Sequence, residues 1–418
     1  MAVGSWYCVF GGKQQRRLLI LFLLLAIACA GCWDRREPEL LAFVLAVGFD
    51  KDRDSGDYKI VAQIFNPLAM SQQSGGEGAG GQDKRPSWVV EATGRTPFEA
   101  RKNLAPMVSR ELFWSYARVV LISEQLAREG IRPVMDLLER ERQFRLIARP
   151  LIVEGDISKA LVSEYPLEGC SGQALLRQLE TGDKMRSIAP VIETRELINI
   201  LSQPGRDLLI ARLGVRNPKK GVLGERKLDE DEKIVATPPP IYLGGGAAFR
   251  GDKMVGWIGN REARAHHWVL GKVRRETLVV ESPLDGLPVS IEVFRAQSNM
   301  KPKINGDRVT MQIKLQVKGR IQDQVTASDL VSNREALSRL ELRFATLIAN
   351  DIKAAVKQAQ ELNSDFLGFG NVIYRLQPRE WEQLKSDWPQ LLSQMKLDLN
   401  VEAKVTVAGL IKEPVRIK

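Results

Sequence analysis

The sequence predicts an α+β fold, in which strand-forming and helix-forming segments are interleaved along 418 residues. Residues 41–49 form an apolar run typical of a buried strand. Residues 58–65 alternate between apolar and polar side chains, which predicts a second strand and a hairpin across the turn between them. Hydrophobic residues make up 44% of the chain and charged residues 27%, the composition of a protein with a packed core.

The other elements follow from the same two periodicities. Strands are predicted at 87–92, 113–122, 146–154, 241–250, 254–258 and 398–409, with further strand-like segments between 272 and 321. Helices are predicted at 96–108, 123–128, 133–142 and 379–388, and from Ile157 and Gln173 onwards. The first of these begins at Thr96, where Pro97 and Glu99 complete a helix-capping pattern.

A second capping pattern at 332–335 opens a long helix at 333–362. Apolar residues recur along it at close to helical spacing, and Leu342 is one of those expected to face the core.

Two polar segments indicate loops and help to place the domain borders. Residues 71–86 are rich in Gly, Ser and Gln, which indicates a loop within a domain. Residues 214–240 are charged and close with three prolines, which indicates a linker or an exposed loop. The predicted divisions are a signal segment at 1–31, an N-terminal α+β domain at 32–205, a middle domain at 206–288 and a C-terminal α+β domain at 289–418.

The N-terminus has the pattern of a bacterial lipoprotein signal peptide. A basic segment ending in Arg16 and Arg17 precedes the apolar run 18–31, which is shorter than the roughly 20 residues that a membrane-spanning helix needs. The run ends in a lipobox-like Ala30-Gly31-Cys32, so cleavage before Cys32 and acylation of its thiol are expected. Cys29 occupies a position where an aliphatic residue is usual, and it is itself an alternative lipid site.

Charge and cysteine content limit the remaining function classes. The net charge of +10 is a mild bias for this length, and it suits a surface facing anionic lipid or wall polymer better than a nucleic-acid groove. No run of five Lys or Arg residues and no nucleic-acid-binding motif occurs. Cys170 is expected to be a buried apolar residue without a disulfide partner.

No residue pattern predicts catalysis, a cofactor or a bound metal. His266 and His267 are adjacent, so on a helix they point about 100° apart, and they are expected to be a solvated residue beside a partly packed one. The glycines at 244–246 precede a hairpin rather than a helix, which does not fit a phosphate loop. Trp381 and Trp388 lie on one helix face and are expected in the core rather than at a sugar-binding surface.

Several of these segments resemble the C subunits of spore germinant receptors, the GerC or Ger(x)C family. The resemblance is carried, in chain order, by Cys32-Trp33-Asp34-Arg35-Arg36-Glu37, Gly48-Phe49-Asp50, residues 116–131, residues 245–257 and Asp365-Phe366-Leu367-Gly368-Phe369-Gly370. It covers nearly the whole chain after Cys32, apart from the loops at 71–82 and 214–235.

The resemblance implies a non-enzymatic lipoprotein with three α+β domains of mixed sheets packed with helices. It implies a place on the outer face of the inner spore membrane, in a complex with two integral membrane subunits, A and B. Cys32 would carry the lipid, and the segment formed by Trp33, Asp34, Arg35, Arg36 and Glu37 would either contact the membrane or a partner or be a solvated tether. The turn at 368–370 is expected to be a structural corner.

Two other function classes remain as alternatives. A solute-binding lipoprotein of a transporter would have a deep cleft between domains and a reversible small-molecule ligand. A wall-modifying enzyme would need a catalytic acid, for which the sequence offers no distinct pattern.

Overall fold

The computed structural model describes residues 16–17, 19–22, 37–66, 86–162, 168–185, 188–215, 241–273, 275–325, 330 and 333–407. The chain divides into two units, Met1–Leu41 and Ala42–Lys418. In the first unit, the described residues form a helical stretch at 19–22 and a 3-10 helix, Pro38–Leu40. Most of the predicted signal segment at 1–31 lies outside the described residues.

Among the described residues, nine strands form a first sheet in the order β3-β2-β1-β5-β6-β7-β8-β9, with β4 paired to β1. The strands are β1 (Leu41–Lys51), β2 (Tyr58–Phe65), β3 (Ser87–Gly94), β4 (Glu111–Phe113), β5 (Val119–Ser123), β6 (Arg149–Glu154), β7 (Leu209–Val215), β8 (Ile241–Arg250) and β9 (Lys253–Ile258). The four central strands, β1, β5, β6 and β7, are parallel, and the outer pairs are antiparallel.

Both faces of the first sheet are covered by helices, because its central strands are apolar on both sides. The helices are α1 (Pro97–Leu104), α2 (Glu124–Glu129), α3 (Arg132–Arg140), α4 (Ile157–Val162), α5 (Ser171–Met185) and α6 (Thr194–Ser202). Helices α1, α2, α3 and α6 share a core with one face, and α4 and α5 share a core with the other. In β5, for example, all five residues are buried.

A second sheet of four strands has the order β10-β11-β12-β13 in the described part of the chain. It contains β10 (Glu276–Glu281), the long hairpin of β11 (Pro288–Asn305) and β12 (Arg308–Gln324), and the final strand β13 (Lys396–Val407), which pairs parallel to β12. Its inner face packs on α7 (Asn260–Val269) and α8 (Arg334–Glu361). Three short helices follow α8: α9 (Phe369–Leu376), α10 (Pro378–Leu384) and α11 (Trp388–Gln394).

The long predicted helix is confirmed as α8, and its start is set by Asn333. The side-chain oxygen of Asn333 accepts a hydrogen bond from the backbone N–H of Ala336 at 3.0 Å. Leu340, Phe344 and Ile348 face the core, but Leu342 is 69% exposed, so its predicted burial is wrong.

Two predicted elements are wrong in detail. The strand expected at 113–122 is broken by a 3-10 helix, Trp114–Tyr116, because Trp114 turns inward against Phe144, with ring centroids 5.4 Å apart. The helix expected at 379–388 is instead two helices, α10 and α11, which meet at an angle that brings Trp381 and Trp388 edge to face at 5.6 Å. Both tryptophans are buried, as predicted.

The α+β class and the interleaving of strands and helices are confirmed, with two mixed sheets as the framework. Strands β7, β8 and β9 come from the predicted middle domain, yet they extend the first sheet across the predicted border at 205/206. The three-domain division itself stays a prediction.

Candidate functional site at the Asp365 junction

The residues predicted to attach and orient the protein fall mostly outside the described residues. Cys32, Trp33, Asp34, Arg35 and Arg36 are all in this group. Glu37 is described and is exposed. Among the described residues, no helix is long and apolar enough to span a membrane.

The histidine pair is buried, contrary to the predicted solvent exposure of one of its members. His266 and His267 are 5% and 6% exposed, because α7 is enclosed between the second sheet and neighbouring segments. His267 Nε2 lies 3.1 Å from the backbone oxygen of Ala189. Burial, together with the neighbouring His267, lowers the pKa of His266 well below its ordinary value, so the ring is neutral at physiological pH.

Potential reactive groups elsewhere are similarly enclosed. Cys170 is buried as predicted, and burial raises the pKa of its thiol. In the part of the chain that the structure describes, no group of three or more His, Cys, Asp or Glu side chains is placed to hold a metal ion.

The most concentrated set of polar contacts surrounds Asp365, in the segment between α8 and α9. Gly368 has φ of +76°, a left-handed conformation that favours glycine, and it turns the chain into α9. The turn brings the backbone N–H groups of Phe369 and Gly370 towards the Asp365 carboxylate, to which they donate at 2.9 and 2.7 Å. The indole Nε1 of Trp388 donates to the same carboxylate at 3.1 Å. The turn at 368–370 is therefore a buried corner, as predicted.

Asp365 also joins this corner to the first sheet through Asp207. The backbone N–H of Asp365 donates to Asp207 Oδ2 at 2.8 Å, and the backbone N–H of Asp207 donates to the backbone carbonyl oxygen of Asp365 at 3.0 Å. Asp207 Oδ1 accepts from the N–H of Gly251, in the turn between β8 and β9, at 2.9 Å. A third link is the hydroxyl of Ser364, which donates to the backbone oxygen of Phe249.

A close backbone approach completes the junction. Gly205 has φ of +68°, and a Cβ at this position would lie 2.5 Å from the carbonyl carbon of Gly370 and 2.7 Å from Trp381 Cη2. The N–H of Asn371 donates to the Gly205 oxygen at 2.6 Å. The Asp365 junction, as the term is used below, comprises residues 204–208, 249–251, 364–371, Trp381 and Trp388.

Electrostatics at the junction are governed by burial. Burial raises the pKa of Asp365 to about 6, against the hydrogen bonds from Gly370 and Phe369 that lower it. Burial also raises the pKa of Asp207. The neighbouring Arg206 is partly buried, and desolvation lowers its pKa. The junction thus holds a proton-sensitive carboxylate away from solvent, where it can fix two segments together.

The partners of Asp365 could not be identified from the sequence. The signature at 365–370 was visible as a motif, but Gly205 and Asp207 lie about 160 residues earlier, in an ordinary short loop before β7. The local signal was limited to Pro204-Gly205, which indicates a turn without indicating what the turn contacts.

Fold and junction together define an α+β protein in which a buried carboxylate links the segment after α8 to the first sheet. Residues 34–215 match a family described as "Spore germination protein N-terminal domain". Residues 244–409 match one described as "Spore germination B3/ GerAC like, C-terminal". Apart from the first three residues of β8, these two matches include both sheets and the whole of the junction.

Curated relatives align with this chain over almost its whole length. Spore germination protein KC of Bacillus subtilis (strain 168) is 27% identical over 403 residues, covering 96% of this chain and 97% of that protein. Spore germination protein B3 of the same organism is 22% identical over 406 residues, covering 96% and 99%.

A solved structure shares the fold. The crystal structure of the GerBC protein matches with a TM-score of 0.51 at 18% identity, covering 86% of this chain and 97% of that one. The chain belongs to the germinant receptor C subunit family and has a role in spore germination.

Proposed function

We propose that this protein is the lipid-anchored C subunit of a nutrient germinant receptor, and that it acts by assembly with the A and B integral membrane subunits rather than by catalysis. The observation that carries the proposal is the pair of family matches at 34–215 and 244–409, which together include nearly all of both sheets and the Asp365 junction. The relatives matched over nearly their full lengths are themselves named as spore germination proteins.

Anchoring is supported by the N-terminal sequence. A basic segment, a short apolar run and Ala30-Gly31-Cys32 form the pattern that directs export and acylation. A diacylglyceryl group on Cys32 would supply two acyl chains. Because each buried methylene contributes about 0.8 kcal/mol, two chains are enough for stable attachment. The protein would then lie on the extracytoplasmic face of the inner spore membrane.

A scaffold role is supported by the way the two sheets are joined. The Asp365 junction combines a close backbone approach at Gly205, backbone hydrogen bonds and two carboxylates, which favour one fixed arrangement of its segments. A fixed arrangement suits a subunit that presents surfaces to partners, and it does not suit a solute-binding lipoprotein that closes around a ligand.

The anchor is tested by fractionating spores that carry Cys32→Ala, with nutrient germination scored in parallel. We expect the variant to leave the membrane or be degraded, and nutrient germination to fail while germination by non-nutrient triggers continues. Cys29→Ala is the matched control, since it alters the neighbouring alternative site, and it is expected to stay attached. If only Cys29→Ala detaches from the membrane, the lipid is attached to Cys29 instead of Cys32.

Assembly is tested by purifying the tagged wild-type protein from detergent-solubilised spore membranes and probing for the A and B subunits. Both are expected to co-purify. If Cys32→Ala detaches from the membrane while nutrient germination is unchanged, the receptor role fails and a solute-binding lipoprotein becomes the better hypothesis.

A further inference from the structure

The N-terminal ends of the parallel strands lie together at one end of the first sheet. Because β1, β5 and β6 are parallel, the segments that lead into them lie side by side at the end of the sheet where these strands begin. These segments are tied together. The Ser115 hydroxyl donates to the Gln143 oxygen at 2.8 Å, and the N–H of Arg149 donates to the Arg118 oxygen at 2.9 Å. We call this end of the sheet the N-terminal rim, and it comprises Phe43, residues 107–118 and residues 141–149.

The rim carries a cluster of partly exposed aromatic rings. Phe43 contacts Phe113 and Tyr116 edge to face, with ring centroids 5.6 and 5.7 Å apart. Tyr116 is 48% exposed, and Met107, at the end of the 3-10 helix Ala105–Met107, is 54% exposed. The cluster therefore presents apolar surface to the outside, with a phenol hydroxyl at its margin.

The rim also carries exposed arginines that have no acidic partner in the described part of the chain. Arg110, Arg142 and Arg145 are exposed, and none forms an ion pair with a described residue. The buried Nε of Arg118 also has no hydrogen-bond partner in the described part of the chain. Of the rim's acids, Glu141 is neutralised by Arg101 at 3.0 Å, and Glu111 has a partner of its own.

The length of the N-terminal segment brings this rim within reach of a membrane. Only ten residue steps separate Cys32 from Ala42, where the second unit begins. Fully extended, ten residues span about 35 Å. The chain enters β1 from its N-terminal end, which is the end that lies at the rim.

We propose that the N-terminal rim rests on a bilayer containing anionic phospholipid, with Tyr116 and Met107 at headgroup depth and the arginines on lipid phosphates. The chemistry is complementary: aromatic rings with a polar margin favour the interface between headgroups and acyl chains, and unpaired arginines favour anionic headgroups. This inference rests on the proposed acylation of Cys32, and it adds to that proposal a defined orientation of the first sheet relative to the membrane.

The test places an environment-sensitive NBD fluorophore at Tyr116→Cys in the mature acylated protein, from which cleavage before Cys32 has removed Cys8 and Cys29. Cys170 is buried and Cys32 carries the lipid, so the introduced thiol is the one labelled. The matched control is Asn400→Cys, an exposed position on the outer face of β13. Both proteins are reconstituted into phosphatidylcholine vesicles with or without phosphatidylglycerol, and vesicle flotation and NBD emission are recorded.

We expect both labelled proteins to float with the vesicles, and the emission to shift to shorter wavelength at position 116 but not at 400. The shift should grow with phosphatidylglycerol, and Arg110→Glu, Arg142→Glu and Arg145→Glu combined should abolish that growth. If both proteins float but the NBD emission wavelength is the same at positions 116 and 400, the proposed orientation is wrong and the anchor still stands. The same result is expected if the rim binds a protein instead of the bilayer. Failure of both proteins to float overturns the anchor, and the orientation with it.

Discussion

Two buried carboxylates, Asp365 and Asp351, are held in opposite ways. Asp351 on α8 accepts hydrogen bonds from the guanidinium groups of Arg261 at 2.8 Å and Arg264 at 2.6 Å, so its charge is compensated by cations. The hydrogen bonds that the Asp365 carboxylate accepts in the described part of the chain come from neutral N–H groups and an indole, and burial raises its pKa to about 6. The ion pairs fasten α7 to α8 beside the second sheet, whereas the neutral donors fasten the two sheets together in a way that depends on pH.

The largest effect is expected at the charge-paired site. Asp351→Ala should lower the free energy of unfolding by about 3–4 kcal/mol, since it leaves Arg264 partly buried with only Glu276, at 3.7 Å, as a counter-charge. Urea denaturation measures this. Asp136→Ala is the control, because it breaks an exposed ion pair with Arg140 and should have little measurable effect. Equal effects from the two variants would mean that burial does not distinguish these pairs.

The Asp365 junction should be nearly as sensitive to a single methyl group. Gly205→Ala should cost about 3 kcal/mol, because a left-handed backbone is strained for alanine and the added Cβ meets the backbone of Gly370. Gly56→Ala is the matched control. It has a similar φ of +74° with nothing within 4 Å of the added Cβ, so only the backbone strain of about 1 kcal/mol remains. Indistinguishable urea midpoints would show that the close approach is not needed.

The stability of the Asp365 junction should depend on pH. A carboxyl whose folded pKa is raised contributes stability that is present below its unfolded pKa and is lost as the pH rises through about 6. Relative to Asp365→Asn, the wild-type protein should therefore lose about 2–3 kcal/mol between pH 4 and pH 7. Paired urea titrations across that range measure the difference, with Asp398→Asn on the exposed face of β13 as control. A pH-independent difference for Asp365→Asn would contradict the raised pKa.

The smallest expected loss of stability comes from removing one neutral hydrogen-bond donor to Asp365. Trp388→Phe removes the indole N–H that donates to Asp365, and it should cost about 1 kcal/mol. Since that hydrogen bond lowers the pKa of Asp365, its loss should raise the pKa further, as measured by NMR titration of the carboxyl carbon. Trp381→Phe keeps all the hydrogen bonds to Asp365 and should leave that titration where it is. A shift of the same size in both variants would assign the effect to packing.

The sequence was most informative where the determinants of structure are local. Asn333 caps α8, the turn before Lys253 forms a hairpin, and the apolar run at 41–49 becomes a buried strand, since each depends on neighbouring residues. The run at 113–122 was misassigned because short apolar segments have the same composition in a strand and in a buried 3-10 turn.

Long-range pairings could not be obtained in this way. The bond between Asp365 and Asp207 joins residues 158 positions apart, and the parallel pairing of β13 with β12 bridges the whole of α8. The burial of His266 likewise depends on segments remote in sequence. Of the predicted attachment residues, Cys32 to Arg36 lie outside the described residues, so their roles stay predictions. The family resemblance, by contrast, is confirmed by matches along nearly the whole chain.

The parallel pairing of β13 with β12 has a consequence for biosynthesis. During translation, β12 emerges long before β13, and in the interval its 17 residues present an unpaired edge that can recruit other nascent chains. A polypeptide truncated just before Lys396 would keep that edge permanently. A late stop codon should therefore yield an aggregated or proteolysed product, although it removes only the last strand and the short segment that follows it.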